Sequence, residues 1–425
     1  MPKIDENLSA QPAPATPSSR RIVAAIFVIA VAMAAAWIGT SDYVQTTLLK
    51  MRSTPDLERA VRADPQSPWP AYTLGTRYAR SGRLPEAVKL FERARQATPD
   101  SFEVRFALGK AYSLTNNPQG AVSELQKAVE INPRSSQAYR YLARGQRLLG
   151  DTAAGRDAAK RATDLAPKDA EAWYQFGALF PPGAQDEAEG RPYLKKAAEL
   201  NRDNGVYAFA YGESLADGSQ FTEAIPYLRK AVTLLPQNPM AHFLLGLSIH
   251  RGGAGAGADA EEAVKELKRA VELQPNDFRA HFELANILTE QGKYAEALPE
   301  LQTAAKLDST RPEVWSALRT AAERTGRKPL AAQAQARFDA LRKDHVEMDT
   351  LQHHLVQQPK DEAALIRVGQ LYEKMGNLRS AVLYYTLALQ NEPDNVRARA
   401  LLELAQQRTL AAQKHRANPL EPSHK

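Results

Sequence analysis

From residue 68 onward apolar positions fall into helical stretches that come in pairs. In residues 68–101, Leu74, Gly75 and Tyr78 share one face of a first stretch, and Ala87, Phe91 and Ala94 stand at i, i+4 and i+7 of a second. A short polar turn, Ser81-Gly82-Arg83, separates the two. Pro99 closes the unit, because it has no amide hydrogen with which to continue a helix. One period later the same offsets hold Leu108, Gly109, Tyr112, Ala121, Leu125, Ala128 and Pro133. The last alanine of the set marks the period: Ala60, Ala94, Ala128, Ala162, Ala197, Ala231, Ala270 and Ala304 are separated by 34, 34, 34, 35, 34, 39 and 34 residues. A unit that recurs this way is one supersecondary element stacked on copies of itself.

Small residues at the Gly75 and Ala87 offsets let two helices approach while the large residues interdigitate. A bulky side chain there would overpack, at a cost of about 1–3 kcal/mol. No single unit buries enough to be stable, so the stack shares one long core. These offsets resemble the tetratricopeptide repeat, whose pattern is Trp-x2-Leu-Gly-x2-Tyr followed by Ala, an aromatic or Leu, Ala and Pro. The resemblance implies an all-α solenoid of helical hairpins wound as a right-handed superhelix. It further implies a concave groove, lined by the first helices, that binds extended peptides or partner helices.

Repeats are expected at 68–101, 102–135, 136–169, 170–204, 205–238, 239–277 and 278–311, with a degraded one at 312–345 and a clear one at 362–395. With a half repeat before residue 68, the main array spans 54–345. Phe180-Pro181-Pro182-Gly183 in the fourth repeat and Gly252 to Gly257 in the sixth read as insertions that loop out on one side. The eighth keeps Trp315, Leu318 and Ala331 but has Arg319 for the usual Gly and Phe338 for the usual Ala. Beyond it, Leu351, His354 and Pro359 repeat the spacing of Leu57, Ala60 and Pro65, a second helix without a first. That predicts a seam near Lys343-Asp344 and a shorter C-terminal region, 346–418, made of a half repeat, one full repeat and a capping helix. Residues 419–425 are expected to be disordered.

Ahead of the array, residues 1–21 are rich in Pro, Ala, Ser and Gln and read as a disordered tail. From Ile22 to Gly39 no charged residue occurs, and Arg20-Arg21 stands directly before that run. Residues 22–39 are therefore expected to be a transmembrane signal anchor, with the N-terminus cytoplasmic and the array extracytoplasmic, as in a single-pass bacterial inner-membrane protein. Two alternatives stay open: a signal peptide cleaved near Ala34-Ala35-Ala36, and the opposite orientation.

The 425-residue chain has no cysteine, which excludes disulfides, thiolate metal sites and a cysteine nucleophile. Past residue 41 the charges are 52 Lys+Arg against 47 Asp+Glu, too dilute a basic excess for a nucleic-acid binder.

Tyr72, Phe106, Tyr174, Phe209, Phe243 and Phe282 occupy one offset of the first stretches in six of seven successive repeats, with Arg140 in the third as the exception. Four residues on, the same face carries Lys110, Arg144 and Glu213, and seven on it carries Arg147 and His250. One reading is an aromatic ladder and basic patch that receive an acidic partner segment; the other is that the rings pack between neighbouring first helices. The family's clamp for a C-terminal carboxylate needs an asparagine one position past the rings, where the first four repeats have Thr73, Ala107, Tyr141 and Gln175. That clamp is missing, and with it a chaperone-tail role.

Chemistry has little foothold. His345, Asp349 and His353, with His354 beside them, could share a helix face, but Phe338, Leu341, Met348 and Leu355 thread the same segment as a packing face would. His242 and His281 share the offset of Trp173 and Trp315 and are expected to pack between paired helices. Repeats occupy nearly everything after residue 54, leaving no stretch for a catalytic domain. The expectation is a non-enzymatic scaffold without cofactor or metal, tethered at the membrane and binding protein or peptide partners, for example in assembling an envelope or secretion complex. The alternative is an accessory subunit of an enzyme machine, such as one that makes or exports a polysaccharide.

Overall fold

The computed structural model describes residues 49–181, 183, 185–253 and 258–417. The predicted anchor at 22–39 and both predicted tails lie outside the described residues. Among the described residues every regular element is a helix, and no helix is long and apolar enough to cross a membrane.

Two compact units divide at Asn201. The first holds α1 (Thr54–Ala63) and four hairpins: α2 (Pro68–Arg80) with α3 (Leu84–Ala97), α4 (Phe102–Leu114) with α5 (Pro118–Ile131), α6 (Ser136–Leu149) with α7 (Thr152–Leu165), and α8 (Ala170–Gly177) with α9 (Glu187–Leu200). The second holds α10 (Gly205–Asp217) with α11 (Phe221–Leu234), α12 (Pro239–Arg251) with α13 (Ala258–Leu273), α14 (Phe278–Glu290) with α15 (Tyr294–Leu307) and α16 (Pro312–Arg324) with α17 (Lys328–Gln357). It ends with α18 (Glu362–Lys374), α19 (Leu378–Asn391) and α20 (Val396–Ala417).

Local chemistry sets the boundaries. Ser101, Ser135, Asp169, Asn204, Asn238 and Asp277 accept backbone N–H bonds at the starts of α4, α6, α8, α10, α12 and α14. The hairpin turn needs a left-handed residue, supplied by Gly82 (φ 81°) and Gly150 (φ 82°), and by Asn116 and Ser219 (both φ 58°) where no glycine is present.

The paired helices cross where the repeat places its small residue. A Cβ built on Gly75 would lie 2.8 Å from the Phe91 ring, and one on Gly109 or Gly212 would lie 2.6 or 2.8 Å from Leu125 or Leu228. In the third repeat these two positions hold Ala143 and Ala159, both buried. Tyrosines join successive repeats: Tyr78 donates to Glu58 (2.7 Å) and Tyr112 to Glu92 (2.6 Å), each acceptor lying on the preceding second helix.

Two expectations need correcting. The seam at Lys343-Asp344 is the interior of α17, one 30-residue helix. The repeat's closing proline would fall at 343, where the chain has lysine; Arg202 and Ser309 also replace it after α9 and α15, which end there, so its loss permits the continuation to Gln357 without compelling it. Leu341, Asp344 and Met348 are buried along it, and Lys374 from α18 reaches Asp344 at 2.5 Å. The insertion in the fourth repeat is not simply an outer loop. Leu179 and Phe180 are buried, and Phe180 packs near Phe176 and Tyr193 (6.2 and 5.9 Å between centroids) under the Arg156 guanidinium.

Candidate partner-binding groove

Within each unit successive first helices also pack on one another (α2 on α4, α4 on α6, α6 on α8; then α10 on α12, α12 on α14, α14 on α16), whereas second helices do not pair as closely. The first-helix side is therefore the inner side of each stack.

In the first unit the structure gathers several predicted residues around Tyr141. Phe106 stacks on Phe102 (5.6 Å) and meets the Tyr141 ring at 5.9 Å, edge to face. Lys110 Nζ lies 5.4 Å from the Tyr141 centroid and the Arg140 guanidinium 5.5 Å from it. Asp169 pairs with Arg140 at 3.7 Å. Arg144 is half-buried one turn further along α6 and Arg147 is exposed; among the described residues neither forms an ion pair. Arg140, Tyr141, Arg144, Glu171 and Gln175 line a small pocket of about 240 Å³, where Gln175 donates to Glu171 at 2.8 Å.

Tyr72 stands apart from this patch. It packs 6.0 Å from both Trp69 and Phe91, and burial pushes its hydroxyl pKa up. Tyr174 is half-buried on α8. In the second unit Phe209 packs against Ala208, Ala231 and Ala241, and Phe282 stacks on Phe278 at 5.6 Å. Phe243 is only 6% exposed, beneath the Arg279 guanidinium at 5.1 Å, so it offers no face to a partner. The rings thus serve first in packing between helices. The charged side chains of the first unit's first helices that stay exposed are Arg80, Lys110 and Arg147, with Glu103 as the one acid among them.

Sequence reasoning missed Arg80. It is exposed, forms no ion pair among the described residues and stands eight residues past Tyr72, near the same face, where the i+8 spacing could have found it.

The position of Trp173 does more than pack. Its indole donates to the Pro167 carbonyl (2.9 Å), and Trp315 donates to the Ser309 carbonyl (3.0 Å), six residues back in each case. His242 and His281 make the same tie through Nε2, to Pro236 (3.3 Å) and Pro275 (3.0 Å). Their Nδ1 atoms face Glu266 at 2.5 Å and Glu300 at 2.6 Å. Both His281 nitrogens meet acceptors, and the Glu300 hydrogen bond holds its pKa above the ordinary histidine value. On α17, His345 and His353 bond the carbonyls of Leu341 and Asp349 four residues back, and His354 meets Asp361 at 2.7 Å. Among the described residues no group of three or more such side chains converges as metal ligands would.

Family models of the tetratricopeptide repeat match residues 78–145 and 255–321, 184–239 and 209–258, and 363–395, together more than half of the chain. The chain belongs to the tetratricopeptide-repeat family. Comparison with curated proteins finds no match. Solved structures similar to it include YrrB, described as a TPR protein with an unusual peptide-binding site (19% identity, 45% of this chain and 96% of that one, TM-score 0.38). Others are pilF of Pseudomonas aeruginosa (17%, 56% and 100%, TM-score 0.44) and the C-terminal part of a TPR repeat-containing protein from Cytophaga hutchinsonii (13%, 58% and 99%, TM-score 0.46). At these identities and scores the likenesses add nothing beyond the family.

Proposed function

We propose that the protein is a non-enzymatic scaffold, tethered at a membrane through residues 22–39, that collects partner proteins or peptides along its first helices. Its family and fold are those of a protein–protein interaction scaffold. The observation that carries the reading is the inner face of the first unit: Lys110, Arg144 and Arg147 stand there without ion-pair partners among the described residues, beside a small pocket at Tyr141. Charged groups that no ion pair neutralises are available to a ligand. The uncharged run Ile22 to Gly39 behind Arg20-Arg21 supports the tether, with the array on the extracytoplasmic side. Tethering would raise the effective concentration of partners near the bilayer, which suits assembly of an envelope or secretion complex.

The test is crosslinking followed by pull-down of the full-length chain from membranes. Recovery of several unrelated proteins is expected. A chain recovered from the soluble fraction would remove the tether from the proposal. A single enzyme recovered in fixed ratio would favour an accessory-subunit role instead.

A further inference from the structure

Charge is distributed unevenly between the two sides of the first unit. Helices α2, α4, α6 and α8 carry seven Lys and Arg (Arg77, Arg80, Arg105, Lys110, Arg140, Arg144, Arg147) against two acids, Glu103 and Glu171. The second helices α3, α5, α7 and α9 carry ten against nine. Three of the seven are engaged within the fold. Arg105 pairs with Glu124 at 2.7 Å, Arg140 with Asp169 at 3.7 Å, and Arg77 donates to Thr54 and to the Lys50 carbonyl. Among the described residues Arg80, Lys110, Arg144 and Arg147 form no ion pair, although Glu171 lines the same pocket as Arg144 and Lys110 lies over the Tyr141 ring.

From this asymmetry we infer that the inner face of the first unit recognises side-chain carboxylates of an extended acidic segment in a partner protein, with one acid seated at Arg144 beside Tyr141. The inference rests on the groove reading above and names the chemistry of its ligand. The pocket there, about 240 Å³, is smaller than the ~300–1,000 Å³ typical of sites that enclose a free small molecule. It fits one side chain of a larger ligand. Tyr141 fills the place where the family's clamp for a chain terminus has asparagine, so a free C-terminal carboxylate is not what this face reads. Nucleic acid fits poorly. Four unpaired cations spread over three helices fall far short of a duplex's one charge per ~1.7 Å, and the Phe106 and Tyr72 rings are already packed.

The probe is a fluorescent twelve-residue peptide of alternating Glu and Ser, acetylated and amidated, titrated by anisotropy against the full-length protein. Binding should weaken as salt is raised from low to high ionic strength. It should be indifferent to amidation, absent for the Gln-for-Glu peptide, and reduced about tenfold in Lys110→Gln/Arg144→Gln. Lys110→Gln/Arg147→Gln alters exposed side chains only and should give a loss in the same direction if Arg144→Gln disturbs the fold. No binding, equal binding of the Gln peptide, dependence on a free C-terminus, or tighter binding of a single-stranded RNA dodecamer would each overturn the inference. Membrane pull-down with the same variants separates the two proposals. Partners retained by Lys110→Gln/Arg144→Gln leave the scaffold standing and remove the acidic ligand, whereas no partners in the wild type remove the scaffold.

Discussion

Replacing Gly109 with alanine should destabilise the first unit, although alanine favours helix. The new Cβ would sit 2.6 Å from Leu125 Cγ, 3.1 Å from its Cδ2 and 3.3 Å from the Ala121 carbonyl oxygen, where carbons normally rest about 3.5–4.0 Å apart. Leu125 is fully buried and Ala121 O is backbone, so α4 and α5 must separate. Overpacking of this kind costs about 2 kcal/mol. The gain in helix propensity from Gly to Ala returns about 1 kcal/mol, leaving a net loss of about 1 kcal/mol. Leu125→Ala alone should cost about 2–5 kcal/mol through the cavity it opens. The double variant recreates the Ala143 and Ala159 arrangement of the third repeat, so it should lose about 1–2 kcal/mol less than the sum of the singles. Urea unfolding followed by circular dichroism at 222 nm reads all four proteins. A neutral Gly109→Ala, or strictly additive singles, would refute close helix crossing as the reason for the glycine.

Four further outcomes are expected. His281 is held above the ordinary histidine pKa by Glu300, so its contribution is complete below about pH 6.5 and is lost as pH rises through the raised value; urea midpoints should fall from pH 6 to pH 9, and Glu300→Gln should flatten that fall. Tyr112→Phe removes the 2.6 Å bond to Glu92, which together with burial pushes the phenol up to about 12; a loss of about 1–2 kcal/mol should follow, with Glu92→Gln milder because its amide oxygen still accepts. Lys343→Pro restores the repeat's stop inside α17 and should cost about 3 kcal/mol, with faster hydrogen exchange around 336–350; unchanged exchange would contradict a continuous helix. Phe243→Ala should act on stability rather than partner capture, since the ring is buried; capture lost with the fold intact would show that it reaches a ligand.

The hairpins could be read from the chain because each repeat states its own packing rule. Gly75 opposite Phe91 and Gly109 opposite Leu125 are size complements that only a close helix crossing demands. The ties between repeats were half visible. Trp173, His242, His281 and Trp315 share one offset, but only the folded structure shows a ring nitrogen of each reaching a carbonyl six residues back. A period is a poor guide where it lapses. Lys343 in place of proline removes a stop without announcing a continuation, so α17 was divided at a boundary that exists in the offsets and not in the backbone. Phe180 looked like loop because prolines follow it, yet its ring had a place beside Tyr193. For the proposed groove, spacing places Lys110, Arg140, Arg144 and Arg147 on the first helices, but it cannot tell an open ring from a packed one.

The account stands or falls on which surface meets the partner. A photo-crosslinking residue placed at Arg147, exposed on α6, should yield partner adducts in intact cells, while the same residue at Lys160, exposed on α7, should yield none. Adducts from position 160 with none from 147 would place recognition on the second helices and contradict the groove.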